Sequence, residues 1–168
     1  PIGLFLCATL VVVLLWRDSR PAWRAVLLLA LLGYGWRLAD ISLEYVQGYR
    51  RVVRNFYSQL RIADYSDATL GTRRSMLHGR INHGEQYLDA KLRQQATAYY
   101  CERSGVGRAI RSLAPGRHKF GVVGLGAGTL AVYGHAGDEM RFYEINEQVL
   151  ELARSEFSYL ADTPATIV

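Results

Sequence analysis

Val122-Val123-Gly124-Leu125-Gly126-Ala127-Gly128-Thr129, followed by Phe142-Tyr143-Glu144-Ile145, decides how this chain is read. The apolar residues 120–124 predict a strand and the glycines a turn. A short helix is expected next, then a second strand over 140–145 ending in a carboxylate. Glycine suits such a turn because the backbone takes positive φ and approaches a ligand where a Cβ would intrude. The helix start after it offers N–H groups and the positive end of a dipole. Glu144, closing the second strand, is placed to accept hydrogen bonds from both ribose hydroxyls. The spacing is G-x-G-x-G; a dinucleotide fingerprint has its third glycine where Thr129 stands. These features predict the front half of a nucleoside-binding α/β domain. The alternative is a glycine turn that only packs a helix on a sheet, with Glu144 a solvated strand end.

Working outward, Asn146 is a good N-cap for a helix over 147–157, whose Val149, Leu150, Leu152, Ala153 and Phe157 face inward by periodicity. On the other side, residues 98–113 predict a helix with Val106, Ala109, Ile110 and Leu113 at helical spacing, ended by Pro115-Gly116. Strand character appears over 55–63, 73–78 and 81–88, the last two flanking a tight turn at His78-Gly79-Arg80. His78 and His83 lack a cysteine or carboxylate cluster of ligand spacing, so they are read as polar hairpin residues rather than metal ligands. Tyr99-Tyr100 either pack the helix start or cover a ligand. His118 and His135 are expected on surface loops.

Residues 1–16 hold no charge and would span about 24 Å as a helix, slightly short of the ~20 residues a bilayer requires. Residues 17–21 break that helix, and 22–39 form a second apolar segment. Arg24 and Arg37 lie near its ends, where long side chains reach the headgroups. Trp16, Trp23 and Trp36 fall at expected interface levels. No basic n-region or cleavage site marks a signal peptide; a buried helical hairpin is the remaining alternative. The expected organisation is two transmembrane helices over 1–40, a juxtamembrane connector over 41–54, a β-hairpin lid subdomain over 55–97, and half of an α/β domain over 98–168. The 168-residue chain begins with Pro1 inside an apolar run and is expected to be truncated at both ends.

The net charge of +5 is carried almost wholly by arginine, Lys91 and Lys119 being the only lysines. The arginines are spread along the chain, which favours an anionic membrane surface over nucleic acid; no basic helix or aromatic-interleaved groove is present. Cys7 and Cys101 lie in segments of different character, which argues against a disulfide framework.

The order of parts resembles the spermidine synthase family of aminopropyltransferases, in its membrane-fused bacterial form. The stretches that carry the resemblance are Arg54-Asn55-Phe56-Tyr57, Leu77-His78-Gly79-Arg80 with His83-Gly84-Glu85-Gln86, Thr97-Ala98-Tyr99-Tyr100, and the two motifs quoted above. They span roughly residues 54–168. The resemblance implies an α/β fold class: N-terminal transmembrane helices, a small β-hairpin subdomain, then a partial Rossmann-like domain of the S-adenosylmethionine-dependent methyltransferase type. It implies that Gly124, Gly126, Gly128 and Glu144 hold the nucleoside of decarboxylated S-adenosylmethionine or S-adenosylmethionine. It gives His78-Gly79, Gln86 and Tyr99-Tyr100 the role of a lid. The implied activity is aminopropyl transfer in polyamine biosynthesis, with a small-molecule amine acceptor, the lipid bilayer and a second copy of the chain as partners.

Several positions depart from that family. Its loop aspartate is Ala127 here, its hairpin Asp-Gly is His78-Gly79, and a glutamine-bearing lid stretch is Tyr99-Tyr100. Its acidic residues after the third and fourth strands, one of them the general base, fall beyond Val168. Residues 1–168 are therefore expected to lack a base and turnover, and the catalytic residues stay unassigned. Two alternatives remain open: a membrane-associated methyltransferase, and a non-catalytic membrane protein with a degenerate nucleoside-binding domain. Because nucleoside donors are cytosolic, the C-terminal domain of a multi-pass inner-membrane protein is expected in the cytoplasm.

Overall fold

The computed structural model describes residues 2–17 and 19–168. The chain is a mixed α/β protein that divides into two compact units, Pro1–Gly48 and Tyr49–Val168. The first unit is a pair of helices, α1 (Ile2–Trp16) and α2 (Pro21–Glu44). Pro21 opens α2 at a position where a missing N–H costs nothing. The helices approach at Gly35, where a Cβ would come within 2.8 Å of the Phe5 ring. Neither helix buries a side chain. Among the described residues one helix, α2, is long and apolar enough to cross a membrane; α1 is apolar but has 15 residues. Arg24 donates to the Trp16 carbonyl at 3.2 Å and lies 5.5 Å from the Trp16 ring centroid.

The expected connector over 41–54 does not form as one piece. α2 continues through Ile41 and Leu43 to Glu44, and hydrogen-bonded turns such as Gln47 N to Leu43 O carry the chain on to Gly48, which takes a left-handed conformation. Its outer part is already strand β1 (Arg51–Asn55).

The second unit starts with an antiparallel meander of β1, β2 (Ser58–Asp67), β3 (Gly71–His78) and β4 (Ile81–Tyr87), in that spatial order. The hairpin expected at His78-Gly79-Arg80 is therefore the last of three turns in a four-stranded sheet. Each turn has its own chemistry. Asn55 Oδ1 accepts from Tyr57 N at 3.0 Å, and Asp67 Oδ1 accepts from Thr69 N and Leu70 N at 2.7 and 2.9 Å. Gly79 takes positive φ at the third turn. Arg61, nearly buried, donates to the Gly79 carbonyl and to Tyr49 Oη.

The helix expected over 98–113 is broken. A 3-10 turn covers Ala98–Tyr100, and α3 spans only Gly105–Arg111. Cys101 is extended, and Ser104 restarts the coil by capping Gly107 N at 3.1 Å. The short helix expected after the glycine turn is a 3-10 segment, Thr129–Tyr133, held by Ala131 N to Gly128 O and Gly134 N to Ala131 O. Gly134 ends it against Ala165 and Met140, where a Cβ would meet heavy atoms at 2.6 and 2.8 Å.

The parallel sheet has the order β5 (Lys119–Val123), β6 (Glu139–Tyr143), β7 (Thr166–Ile167). Between β6 and β7 run α4 (Glu147–Glu156) and α5 (Tyr159–Asp162). Asn146 caps α4 as expected, accepting from Gln148 N at 3.1 Å. The two sheets share one core. Leu60, Ile62 and Met76 of the meander pack with Leu125, Ala127, Val149, Leu152, Ala153 and Phe157. Burying each large side chain of this set contributes about 1.5–3 kcal/mol. Polar contacts join the same surfaces: Glu156 meets Arg50 at 2.8 Å and Arg74 at 3.3 Å, and Asn55 Nδ2 donates to Asn146 Oδ1 at 2.6 Å. Asp64 sits below the usual carboxylate range, chiefly because Arg74 hydrogen-bonds to it.

Candidate functional site

A cavity of about 500 Å³ opens beside the C-terminal ends of β5 and β6. Its walls include Tyr57, His78, His83 and Tyr100 as well as Gly124, Gly126 and Glu144. The volume lies within the range of about 300–1,000 Å³ usual for small-molecule sites. Its polar and glycine residues come from five places in the chain: the β1–β2 turn, the β3–β4 hairpin, the 3-10 turn at Ala98–Tyr100, the glycine turn and the segment that follows β6.

The glycine turn is held from two sides. Glu144 Oε2 accepts from Leu125 N at 3.0 Å and Oε1 from Asn146 N at 2.9 Å. Gly124 N donates to Tyr143 O, Ala127 N to His83 O and Gly128 N to Leu125 O. The N–H groups of Gly124, Leu125, Ala127 and Gly128 are thus spent within the protein. The turn is a shaped floor rather than the open amide cradle anticipated from a helix start. Each Glu144 oxygen keeps a lone pair beyond its backbone partner, enough to receive a pair of hydroxyls.

Two of the glycines do different jobs. Gly126, at φ +55, touches the hairpin: a Cβ there would run into the His83 carbonyl. Gly124, at φ +86, has nothing within 4 Å of such a Cβ and faces open cavity space. The third, Gly128, caps the 3-10 segment against Leu160 and Tyr159 and lies outside the cavity lining.

Of the six residues assigned to nucleoside binding, the structure brings Gly124, Gly126, Glu144 and Tyr100 to the cavity. Gln86 is not brought there. It is 2% exposed, its amide donates to Arg93 O and Ser158 Oγ, and its oxygen accepts from Ser158 N at 2.9 Å. Its alternation on β4 turns it inward to the α4–α5 junction. Tyr100 is half-buried; burial, and then the Tyr99 hydroxyl beside it, push its phenol well up, so it stays protonated as a donor. The Tyr99 and Tyr100 rings meet at a 45° tilt with centroids 4.4 Å apart, and Tyr99 Oη donates to Asn82 O. Ala127 lies in the core, 1% exposed, and is absent from the cavity lining.

His83 and Tyr57 were not assigned to the cavity from sequence, yet both line it. A signal existed for His83: His78-Gly79 and His83-Gly84 stand on either side of the hairpin turn, which makes them cross-strand neighbours. Tyr57 sits at a turn tip that no periodicity marks. Among the described residues no group of three or more His, Cys, Asp or Glu side chains is arranged to hold a metal ion.

Away from the cavity, buried Asp138 accepts from His118 N at 2.8 Å and His135 N at 2.9 Å. Those bonds hold its carboxyl below the usual range and fasten two loops at the start of β6. Comparison of the chain with protein-family models, with curated proteins and with solved structures found no match.

Proposed function

We propose that the second unit binds the nucleoside of a sulfonium donor, decarboxylated S-adenosylmethionine or S-adenosylmethionine, and serves a membrane-attached transferase of the aminopropyl type found in polyamine biosynthesis. One observation carries this: the glycine turn and Glu144 form one wall of a small-molecule-sized cavity at the ends of two parallel strands. Ligands of open α/β sheets bind at such strand ends. The spent amides of the turn favour a ribose over a pyrophosphate, because a pyrophosphate needs free N–H groups. Leu125, Val122 and Ile145 supply apolar surface for a base. This unit then corresponds to the front of a Rossmann-like domain of methyltransferase type.

Aminopropyl transfer displaces a thioether from a carbon bonded to sulfonium. The protein's share of the work is to align donor and nucleophile and to exclude water. Methyl transfer is the second reading, and one observation favours it: Glu144 is the only acidic side chain among the cavity-lining residues, whereas a polycationic acceptor needs several.

α2, with α1, anchors the chain as a two-helix membrane segment, and the second unit faces the cytoplasm where the donors are. The by-product tests the assignment. The intact protein is incubated with each donor and an amine; methylthioadenosine supports aminopropyl transfer and S-adenosylhomocysteine supports methyl transfer. Neither product, with no nucleoside retained, would leave a non-catalytic membrane protein.

A further inference from the structure

His78 and His83 stand on adjacent strands with ring centroids 5.3 Å apart, both half-buried and both lining the cavity. A fault in the sheet places His83. Ser75 pairs with Glu85 and Leu77 with Asn82, so Met76 alone faces two residues, His83 and Gly84. Such a bulge bends its strand and re-aims a side chain. Gly84, at φ +136, permits it, and there is no room for more: a Cβ at Gly84 would lie 2.7 Å from that of Ala127.

The bulge is then locked. The His83 carbonyl accepts from Ala127 N at 3.2 Å, Asn82 Oδ1 accepts from Gly84 N at 2.9 Å, and the Asn82 carbonyl accepts from Tyr99 Oη at 3.0 Å. On the neighbouring strand, Arg61 holds the Gly79 carbonyl next to His78. An irregular strand secured from three sides costs stability and packs no core of its own, which directs attention to the group it presents.

The titratable groups around His83 are His78 on β3, Glu144 after β6, Tyr57 and Tyr100. Burial and then His78 lower the His83 pKa, against an opposing pull from Glu144. Its imidazole is neutral at pH 7, the form that accepts a proton. Glu144 is the one carboxylate of the lining, and both its oxygens already hold backbone N–H groups.

Resting on the nucleoside site argued above, we propose that His83, backed by His78, takes the acceptor's proton in this cavity, and that the acceptor is a small-molecule amine. The amine lone pair attacks the carbon bonded to sulfonium and a C–N bond forms. The C–S bond breaks, its electron pair goes to sulfur, and the sulfonium becomes a neutral thioether. The nitrogen passes one proton to the imidazole, which leaves as imidazolium charge what entered as sulfonium charge. This assignment departs from the expectation that residues 1–168 hold no base.

The test uses the intact chain in lipid nanodiscs. Methylthioadenosine binding is measured by calorimetry for the native protein and for H83Q. Methylthioadenosine release from decarboxylated S-adenosylmethionine is then followed from pH 5 to 9, with propylamine or putrescine as acceptor. The expected result is methylthioadenosine affinity within about twofold for H83Q, release slowed about 100-fold, and loss of the acidic limb of the pH profile. H78Q should shift that limb without abolishing it, with either acceptor. Retained binding with H83Q release within about twofold of native overturns the proposal and leaves the nucleoside site standing. So does native protein that binds methylthioadenosine but releases none with either acceptor. Absence of methylthioadenosine binding by the native protein removes the site and the proposal together.

Discussion

The cavity's two main walls are built on opposite plans. The glycine wall follows a regular parallel pair, β5 and β6, and its backbone donors are consumed by Tyr143, Glu144, His83 and Leu125. The hairpin wall follows an irregular antiparallel pair, β3 and β4, and presents the imidazoles of His78 and His83. The difference teaches that the motif most legible in the sequence supplies shape, while the less legible bulge supplies chemical groups. The walls interlock where Gly126 and Ala127 meet His83 and Gly84.

The largest effect is expected where the walls touch. Gly126→Ala adds a Cβ against the His83 carbonyl at a positive φ, and should cost about 2–5 kcal/mol in urea unfolding. A loss under about 1 kcal/mol would mean the walls are not interlocked. Next, Gln86→Ala removes a buried amide and the partner of the half-buried Ser158 N–H, and should cost about 1–3 kcal/mol, with methylthioadenosine affinity unchanged within about twofold. A selective loss of affinity would return Gln86 to the site. Gly124→Ala sharpens the contrast with Gly126: the cost is only the positive φ, about 1–2 kcal/mol, and the methyl group enters cavity space and weakens nucleoside binding.

The smallest effect concerns the far end of the parallel sheet and depends on pH. The Asp138 pKa is depressed in the folded state, so its contribution is present above the unfolded value near 3.8 and is lost as pH falls through that value toward the folded one. Tm should therefore decline below about pH 4, and Asp138→Asn should show a lower Tm at pH 7 with a flatter acid dependence. An identical acid profile in the variant would remove Asp138 from the account.

What the sequence disclosed follows physical lines. Apolar runs before Gly124 and Glu144 specified β5 and β6, and period 3.6 with the Asn146 cap specified α4, because burial and capping leave local marks. The hairpin turn was legible because only glycine sits easily at φ +61. The break at Cys101 was not legible, since Ala98–Leu113 keeps helical spacing and the interruption comes from tertiary contact. A Cβ at Gly107 would meet the Cys101 carbonyl and the Tyr133 hydroxyl. The bulge at His83-Gly84 was equally hidden, because register is a property of two strands and not of one. The family resemblance gave Gln86 a lid role, but the bulge and strand alternation send it to Ser158 instead.

The most direct measurement is calorimetric titration of the intact chain with methylthioadenosine, in parallel with Glu144→Gln. The substitution places an amide nitrogen against a backbone N–H and removes the charge that receives ribose hydroxyls. The account predicts saturable one-to-one binding by the native protein and at least about a tenfold loss in the variant, roughly the 1.5–3 kcal/mol of hydrogen bonds to a charged group. No binding by the native protein, or equal affinity in the two, would contradict it.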